Sequence, residues 1–283
     1  MKILVTGGNG FIGSNLIRKL TEIGHEVVSI DDLSNGRELN ETRKAAYMYE
    51  DIEKVSYFDG SDVDICFHLA ALSRIQPSFQ YPTEYFRVNT KGTEIVADWA
   101  TQYNVKLIYA GSSSVHQNPF LSPYSTYKFL GEHICQMHRN VFGLDVHIAR
   151  FYNVYGPNEI GEGNFASLIG KWLNCIKNNE PLPVVGDGDQ KRDFTHVDDI
   201  VDGLIKIMEY EGTANNVWEL GTGLEYTINE VAKLFMDRYA CDFVNLEDQP
   251  GNYRESYRAD NKALELLKWK PTDRLRDYIY NAL

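Results

Sequence analysis

Three side chains in the middle of the sequence have the chemistry of a proton-transfer site. Tyr124 and Lys128 lie four residues apart in a segment with helical periodicity, so both would project from one helix face. A phenol with its usual pKa of about 10 is a weak base at neutral pH, but a neighbouring cation favours the phenolate. Ser112 follows an apolar strand upstream, where its hydroxyl could hold a substrate oxygen. Tyr127 is adjacent, and only the four-residue spacing favours Tyr124 over it.

A glycine-rich turn near the N-terminus predicts a binding site for a dinucleotide. An apolar strand begins at Lys2, breaks at glycines, and is followed by apolar residues at helical spacing. The free amides and the positive end of such a helix attract a pyrophosphate. A second strand ends at Asp31, where a carboxylate can bind an adenosine ribose and favour NAD over NADP. The turn residues expected to contact this cofactor are Gly7, Gly10, Phe11, Ile12 and Gly13.

Strands that alternate with helices up to about residue 150 predict an α/β fold with a doubly wound parallel sheet of the Rossmann type. Predicted strands end near Ala71, Ala110 and Ala149, and ligands bind at the carboxyl ends of such strands. After Pro157, glycine-rich loops and shorter helices predict a smaller C-terminal substrate-binding lobe. The expected division is a dinucleotide-binding domain, residues 1–156 with 193–223 returning to it, and a lobe of residues 157–192 and 224–283.

The composition is that of an ordinary globular protein with an acidic balance. The chain has 283 residues, 43% hydrophobic and 24% charged, and a formal net charge of −12. This charge argues against nucleic acid as a partner, and no apolar run reaches membrane-spanning length. The N-terminus enters a strand at once, which predicts a protein without a signal peptide that resides in the cytoplasm. The four cysteines are scattered, so free thiols and no metal site are expected.

Motifs along the whole chain carry a family resemblance. They are Thr6-Gly-Gly-Asn-Gly-Phe-Ile-Gly13, His68-Leu-Ala-Ala71, Val88-Asn-Thr-Lys-Gly-Thr93, Ser112 with Tyr124 and Lys128, Arg150-Phe-Tyr-Asn-Val-Tyr-Gly-Pro157, Arg192-Asp-Phe-Thr-His-Val-Asp-Asp199 and Trp269-Lys-Pro271. Together they resemble the extended short-chain dehydrogenase/reductases, specifically the nucleotide-sugar epimerase/dehydratase family. The resemblance implies NAD as the cofactor and a nucleotide-diphosphate sugar as the substrate.

The resemblance also implies roles for individual residues. Ser112, Tyr124 and Lys128 would form the catalytic set, and the last two would also contact the cofactor. Besides the glycine turn, the implied cofactor-binding residues are Asp31, Asp51, Ile52, Leu69, Ala70, Ala71 and Tyr152. Besides Ser112, the implied substrate-binding residues are Asn153, Arg192, Arg254 and Ser256. Guanidinium groups suit phosphate oxygens.

The residues beside Ser112 favour one reaction of the family. The resemblance implies Asp-Glu there in dehydratases and a glutamate in decarboxylases, whereas this chain has Ser113-Ser114, which cannot act as a carboxyl acid or base. A reductase that also epimerises through an enolate would want a cysteine nearby, and none is present. The reaction indicated is 4-epimerisation of a UDP-hexose or UDP-N-acetylhexosamine. A dehydratase, a 4-keto reductase and a non-catalytic NAD-binding protein remain as alternatives.

Two segments predict properties beyond the reaction. The helical segments 82–103 and 124–142 carry Phe86, Trp99, Phe129 and Cys135, and the resemblance implies a homodimer formed through these helices. Ser256 follows Pro250 by six positions, where the resemblance implies a residue beside the sugar's 2-substituent. Such a small side chain predicts that 2-acetamido sugars are accepted at least as readily as plain hexoses.

The loop after Ser112 departs from the family pattern. Val115-His116-Gln117 stands where Val-Tyr-Gly is usual, so the loop conformation is not predictable by resemblance. His116 is either a substrate contact or an exposed polar residue.

Overall fold

One large sheet and three two-stranded sheets make up the β-structure in a computed structural model that describes residues 1–283. The strands are β1 Lys2–Thr6, β2 Glu26–Ile30, β3 Ala46–Met48, β4 Ile65–His68, β5 Lys106–Ser112, β6 Val146–Phe151, β7 Val154–Tyr155, β8 Leu182–Val185, β9 Lys191–Asp193, β10 Thr195–His196, β11 Val217–Leu220, β12 Glu225–Thr227 and β13 Phe243–Leu246.

Ten α-helices alternate with these strands. They are α1 Phe11–Glu22, α2 Ile75–Gln80, α3 Pro82–Phe86, α4 Gly92–Tyr103, α5 Pro123–Phe142, α6 Leu168–Asn178, α7 Val197–Met208, α8 Ile228–Tyr239, α9 Lys262–Leu266 and α10 Leu275–Asn281. None of them combines the length and apolar character needed to cross a membrane.

The central sheet has seven parallel strands in the order β3-β2-β1-β4-β5-β6-β11. The chain moves outward from β1 to β3 and then returns to place β4 on the other side of β1. At this reversal Thr6, at the end of β1, is level with Ile30 of β2 and His68 of β4. A crevice for a ligand opens at such a reversal. The predicted doubly wound Rossmann-type sheet is confirmed.

Helices cover both faces of the sheet because each has an apolar stripe at helical spacing. On one face α1 and α7 pack on the strands through residues such as Leu16, Leu20 and Leu204. On the other face α4 and α5 pack through residues that include Trp99 and Cys135. Both faces are therefore dry, as a parallel sheet requires.

A third core lies in the C-terminal half, where α6, α8 and α10 surround Trp172 and Phe235. The rings of these two residues meet edge to face, with centroids 5.4 Å apart. The packing departs from the predicted division in one segment. Trp269, predicted for the smaller lobe, is buried with α7 and β11 in the core of the central sheet, and its Nε1 donates to the Asp199 carbonyl over 2.8 Å. The domain boundaries otherwise stay a prediction.

The predicted helix over residues 82–103 contains a wide turn. Residues Arg87–Lys91 are π-helical and join α3 to α4 without a break. From this turn the Asn89 side chain exchanges two hydrogen bonds with the backbone of Leu72, at 2.8 and 2.9 Å. π-helical turns recur at functional sites, and this one fixes the loop that follows β4.

Candidate active site

A cleft of about 710 Å³ runs along the carboxyl ends of the central strands. This volume is typical of small-molecule and cofactor sites. The predicted site residues that line the cleft are Gly7, Gly10, Phe11, Ile12, Gly13, Asp31, Ile52, Leu69, Ala70, Ala71, Ser112, Tyr124, Lys128, Asn153 and Arg192. The structure thus brings these residues together, and their individual roles stay predictions.

The glycine turn packs too tightly for side chains. Gly7 has a φ of +72°, and a Cβ there would stand 2.6 Å from the backbone nitrogen of Ala70. A Cβ on Gly13 would overlap the carbonyl oxygen of Gly7. Glycine therefore lets α1 begin close to the ends of β1 and β4 and leaves the turn's backbone bare toward the cleft. This bare backbone at a helix N-terminus fits the pyrophosphate of a dinucleotide.

The Asp31 carboxylate is held firmly at the end of β2. Its Oδ2 accepts a hydrogen bond from the Asn9 amide over 2.9 Å, and its Oδ1 accepts one from Leu33 over 2.8 Å. Burial raises the pKa of Asp31, and these backbone hydrogen bonds act in the opposite direction. The carboxylate lines the same end of the cleft as Ile52, so the pair fits an adenosine.

Ser112 and Tyr124 are in direct contact. The Tyr124 hydroxyl donates to Ser112 Oγ over 3.3 Å, and Ser112 Oγ also accepts from the Ser114 amide over 3.2 Å. Ser112 ends β5, and Tyr124 lies in the first turn of α5, which begins with the Ser122 side chain accepting from the Ser125 amide. Because α5 packs on β5, the two hydroxyls meet at the cleft wall.

Lys128 is buried beside this pair. Its ammonium donates to the Ala110 carbonyl over 2.5 Å and lies 4.4 Å from the centre of the Tyr109 ring. Burial lowers the pKa of Lys128 to about 8, so the amine still carries its proton at neutral pH. No hydrogen bond joins Lys128 to Tyr124, because the buried ammonium donates to the Ala110 carbonyl.

Burial raises the pKa of the Tyr124 phenol, whereas the hydrogen bond with Ser112 and the positive charge of Arg74 act in the opposite direction. With these groups alone the phenol is protonated at neutral pH. An additional positive charge in the cleft, such as an oxidised nicotinamide ring, is what would favour the phenolate.

Asn153 and Arg192 line the half of the cleft that faces the smaller lobe. The Asn153 side chain donates to the Asp193 carbonyl over 3.0 Å. Arg192 is buried, stacks on the Tyr253 ring with its guanidinium carbon 4.2 Å from the ring centre, and donates to Asn252 over 3.0 Å. Its charge has no carboxylate partner, which fits a phosphate-binding arginine.

Three implied site residues lie outside the cleft, because other side chains bind them. The Asp51 carboxylate accepts from Arg87, at 2.8 and 3.0 Å, instead of facing an adenine. Tyr152 is fully buried, and its hydroxyl donates to Glu219. The Arg254 side chain is 71% exposed, and its fork binds Asp187 through two contacts of 2.7 Å.

Ser256 and His116 are two further residues outside the cleft lining. Ser256 is buried and is not among the residues that line the cleft, but its hydroxyl donates to Ser113, which does line it, over 3.2 Å. Its predicted place beside the sugar's 2-substituent stays a prediction. His116 neither lines the cleft nor lacks a partner, since its Nε2 lies 2.9 Å from Glu219. This contact ties the unusual His116-Gln117 loop to the end of β11.

Arg74 is a cleft residue that motif comparison missed. It lies three residues after Ala71, in the loop between β4 and α2. The available signal was chemical: an arginine beside a predicted strand end is conspicuous in a chain with a net charge of −12.

A Rossmann-type sheet with a Ser-Tyr-Lys cluster beside its dinucleotide turn defines a dehydrogenase/reductase-type catalyst. A model of the NAD dependent epimerase/dehydratase family matches residues 3–221. The chain therefore belongs to this family, and its cofactor is NAD.

Three relatives place the chain within the family. The UDP-glucose 4-epimerase of Mycolicibacterium smegmatis is 30% identical, over 96% of this chain and 94% of that protein. The structure of the Thermotoga maritima UDP-glucose 4-epimerase with UDP-glucose superposes with a TM-score of 0.92 at 30% identity, covering 99% and 96% of the two chains. The structure of a Bacillus cereus UDP-glucuronic acid 4-epimerase with its nucleotide sugar and NAD gives 0.88 at 27% identity, covering 99% and 96%.

The position of Asp31 predicts strong selectivity for NAD over NADP. A 2′-phosphate on the adenosine would meet the fixed carboxylate, and like charges in contact cost several kcal/mol. We expect NADP to bind about 100-fold more weakly than NAD, measured by calorimetric titration after removal of bound cofactor. Asp31→Asn should bring the affinities for NAD and NADP closer together, whereas Asp237→Asn, an exposed change on α8 that does not line the cleft, should not. Equal affinity for the two cofactors in the unaltered protein would contradict this role of Asp31.

Proposed function

We propose that the protein is an NAD-dependent 4-epimerase of a nucleotide-diphosphate sugar. The observation that carries the proposal is the contact between Ser112 and Tyr124 in a cleft where the neighbouring loop residues are Ser113 and Ser114. These hydroxyls provide for proton transfer at one alcohol. They provide no carboxyl group for eliminating water, which a dehydratase would need.

The chain's own residues would handle the oxygen at C4 of the sugar. Ser112 Oγ holds this oxygen while Tyr124 Oη, as phenolate, takes the 4-hydroxyl proton. Gly7, Gly10, Gly13 and Asp31 would hold NAD, which would supply the hydride acceptor and donor for C4. Tyr124 then returns the proton to the oxygen of the turned 4-keto sugar. Atoms and charge balance, because the hydride and the proton both return to the sugar.

The nucleotide end of the substrate would stay in place while the sugar turns. Arg192 and Asn153 line the same cleft as the glycine turn and are suited to the diphosphate. The relatives named above act on or bind UDP-sugars, which supports a UDP-sugar as the substrate here. Glucose, N-acetylglucosamine and uronic acid forms are the candidates.

Proton NMR of the purified protein with single UDP-sugars, without added cofactor, tests this proposal. We expect each accepted sugar to give an equilibrium mixture of its two C4 epimers, reached from either epimer. Conversion to a 4-keto-6-deoxy sugar would identify a dehydratase. Conversion that requires added NADH would identify a reductase, and no conversion of any sugar would favour a non-catalytic NAD-binding protein.

We also propose that the enzyme is a homodimer joined through α5. Trp99 and Cys135 do not contribute, because both are buried in the sheet core. Instead Leu130, Met137 and Val141 are exposed in one row of α5, and the half-buried Ile134 completes their spacing. A row of this kind is the seam of a helix pair, and Phe86 on α3 adds exposed apolar surface beside it.

Light scattering at micromolar concentration should give twice the mass of one chain. The double change Leu130→Glu/Met137→Glu should reduce the mass to that of a monomer, because charges would then be buried at the seam. The control Lys233→Glu, which alters a charge on α8 far from this row, should leave the dimer intact. A monomeric mass for the unaltered chain would contradict the proposal.

We further propose that the enzyme works in the cytoplasm. All four cysteines are free, which is the usual state of thiols in a reducing compartment. Retention of full activity in millimolar reductant would agree with this assignment.

A further inference from the structure

Charges in the cleft are divided between its two ends. The acidic residues that line it follow β2 and β3, at the adenosine end: Asp31, Asp32 and Glu50. The basic residues line the remainder, toward the catalytic pair and the smaller lobe: Arg74, Lys128, Lys171 and Arg192. Within this basic half, Lys128 is occupied by the Ala110 carbonyl, and Arg192 is the arginine proposed for the diphosphate. Lys171, on α6, is exposed to solvent, which leaves Arg74 as the partly buried cation without an assigned partner.

The Arg74 side chain makes one hydrogen bond, from Nε to the Phe165 carbonyl over 3.2 Å. Its two terminal nitrogens have no acceptor, and no carboxylate lies within ion-pair distance of them. The nearest carboxylate that acts on its charge is Glu159, which is already bound by the hydroxyls of Ser167 and Tyr278. A guanidinium with free donors, aimed into a cleft, is suited to an anionic ligand.

The backbone of Arg74 is also held in an unfavourable conformation. Its φ of +78° and ψ of 142° lie in a region that is essentially restricted to glycine. The hydroxyl of the fully buried Tyr85 contacts this segment: its proton is donated to the Ser73 carbonyl over 2.6 Å, and the Arg74 carbonyl lies 3.2 Å from the same oxygen. Backbone strain of this kind accumulates where a ligand contact requires it.

Tyr85 also links Arg74 to the catalytic tyrosine. The rings of Tyr85 and Tyr124 meet edge to face, with centroids 6.4 Å apart. Burial raises the pKa of the Tyr124 phenol overall, and the charge of the Arg74 guanidinium is one of the smaller effects that act in the opposite direction. Arg74 and Tyr124 both line the cleft, so a sugar that presents its 4-hydroxyl to Tyr124 would have the Arg74 guanidinium nearby.

We propose that Arg74 is a specificity-determining residue that binds a carboxylate on the sugar ring, so that the preferred substrate is a nucleotide-linked uronic acid. In a hexuronic acid the carboxylate carbon, C6, is separated from C4 only by C5. A 4-hydroxyl at Tyr124 thus places C6 beside the reacting oxygen. This inference rests on the proposed 4-epimerase function and adds the class of sugar.

Kinetics with two substrates test the proposal. We expect the unaltered protein to epimerise UDP-glucuronic acid with a higher kcat/KM than UDP-glucose. In Arg74→Leu the ratio of the two kcat/KM values should fall by about tenfold to a hundredfold in favour of UDP-glucose, as loss of a charged hydrogen bond predicts. Arg74→Lys, which keeps the charge but loses the fork, should give an intermediate ratio.

Arg192→Leu is the matched control, because it removes a second cleft arginine. It should lower kcat/KM for both substrates by a similar factor and leave their ratio near that of the unaltered protein. Arg74→Gly adds a check on folding, since glycine adopts the backbone conformation of residue 74 freely, and it should show the same change in ratio as Arg74→Leu.

Two results would overturn the inference while leaving the proposed function intact. If Arg74→Leu, like Arg192→Leu, lowered kcat/KM for both substrates by the same factor, Arg74 would bind the diphosphate. If Arg74→Leu left kcat/KM for both substrates unchanged, Arg74 would be a solvated cation. Absence of C4 epimers from both UDP-sugars in the unaltered protein would instead contradict the proposed function itself.

Discussion

Tyr124→Phe should reduce turnover by about 10²–10⁴-fold, the usual contribution of a positioned acid–base group. The change removes the oxygen that donates to Ser112 over 3.3 Å and leaves the ring in its contact with Tyr85. We therefore expect the variant to fold and to bind NAD with nearly unchanged affinity. Turnover is measured by NMR with the best substrate, and NAD affinity by titration.

Tyr127→Phe is the matched control for this prediction. Tyr127 is on the same helix, but its ring packs on Phe86 with centroids 5.6 Å apart and does not line the cleft. Its hydroxyl should therefore be dispensable for turnover. Near-normal turnover in Tyr124→Phe together with a large loss in Tyr127→Phe would assign the base to Tyr127.

Arg150→Leu should have the largest effect on stability. The Arg150 guanidinium binds the buried Glu132 through Nε and Nη2, at 2.7–3.1 Å, and reaches the buried Glu219 through Nη1 at 2.9 Å. Its removal leaves two carboxylates buried without their main cation. Breaking a buried ion pair from one side costs about 3–5 kcal/mol, which urea denaturation would measure.

The loss of folding stability in Arg150→Leu should depend on pH. Burial raises the pKa of Glu219, but hydrogen bonds from His116 and Tyr152 and the charges of His116 and Arg150 outweigh burial and hold it below its usual value. In the intact protein this carboxylate therefore contributes stability above its unfolded pKa. Without Arg150 the balance shifts toward the protonated form, so the deficit should be larger at pH 8 than at pH 5.

Arg254→Leu is the control for this pair, because Arg254 also binds a carboxylate but is mostly exposed. Exposed ion pairs are screened by solvent, and this change should alter stability little at either pH. If Arg150→Leu proved equally mild at both pH values, the network around Arg150 would not stabilise the fold in the way described.

Features that depend on neighbouring residues in sequence were predictable. The glycine turn, β2 and Asp31 lie within a single strand–helix–strand unit, and local spacing was enough to place them at one ligand. Tyr124 and Lys128 were predictable for the same reason, since one helix carries both. Ser112 required only the additional inference that parallel strands end at a common edge of the sheet.

Features that depend on distant partners were not predictable. No residue near Asp51 in the sequence is an evident partner for its carboxylate, but Arg87, 36 positions later, binds it. Asp187, 67 positions before Arg254 in the sequence, accepts a hydrogen bond from the Arg254 guanidinium. Backbone hydrogen bonds from Asp193 to Ser256 and from Ser256 to Lys191 fix Ser256 beside β9, and no short motif specifies that alignment.

Arg74 is the converse case, a cleft residue that the sequence did not predict. Its side chain lines the cleft from a loop with a positive φ at residue 74, and the hydrogen bonding of this loop with Tyr85 depends on how α3 packs beside it. The positive charge of Arg74 is evident from the sequence, whereas the place of its side chain in the cleft depends on the fold.

Isotope retention at C4 tests the proposed reaction most directly. A UDP-sugar that carries deuterium at C4 is incubated with the purified protein in ordinary water, without added cofactor, and the products are examined by NMR and mass spectrometry. If the hydrogen leaves C4 as hydride and returns to the same carbon without exchange with water, the C4 epimer should retain the deuterium. An epimer that carries protium at C4, acquired from the solvent, would contradict the mechanism.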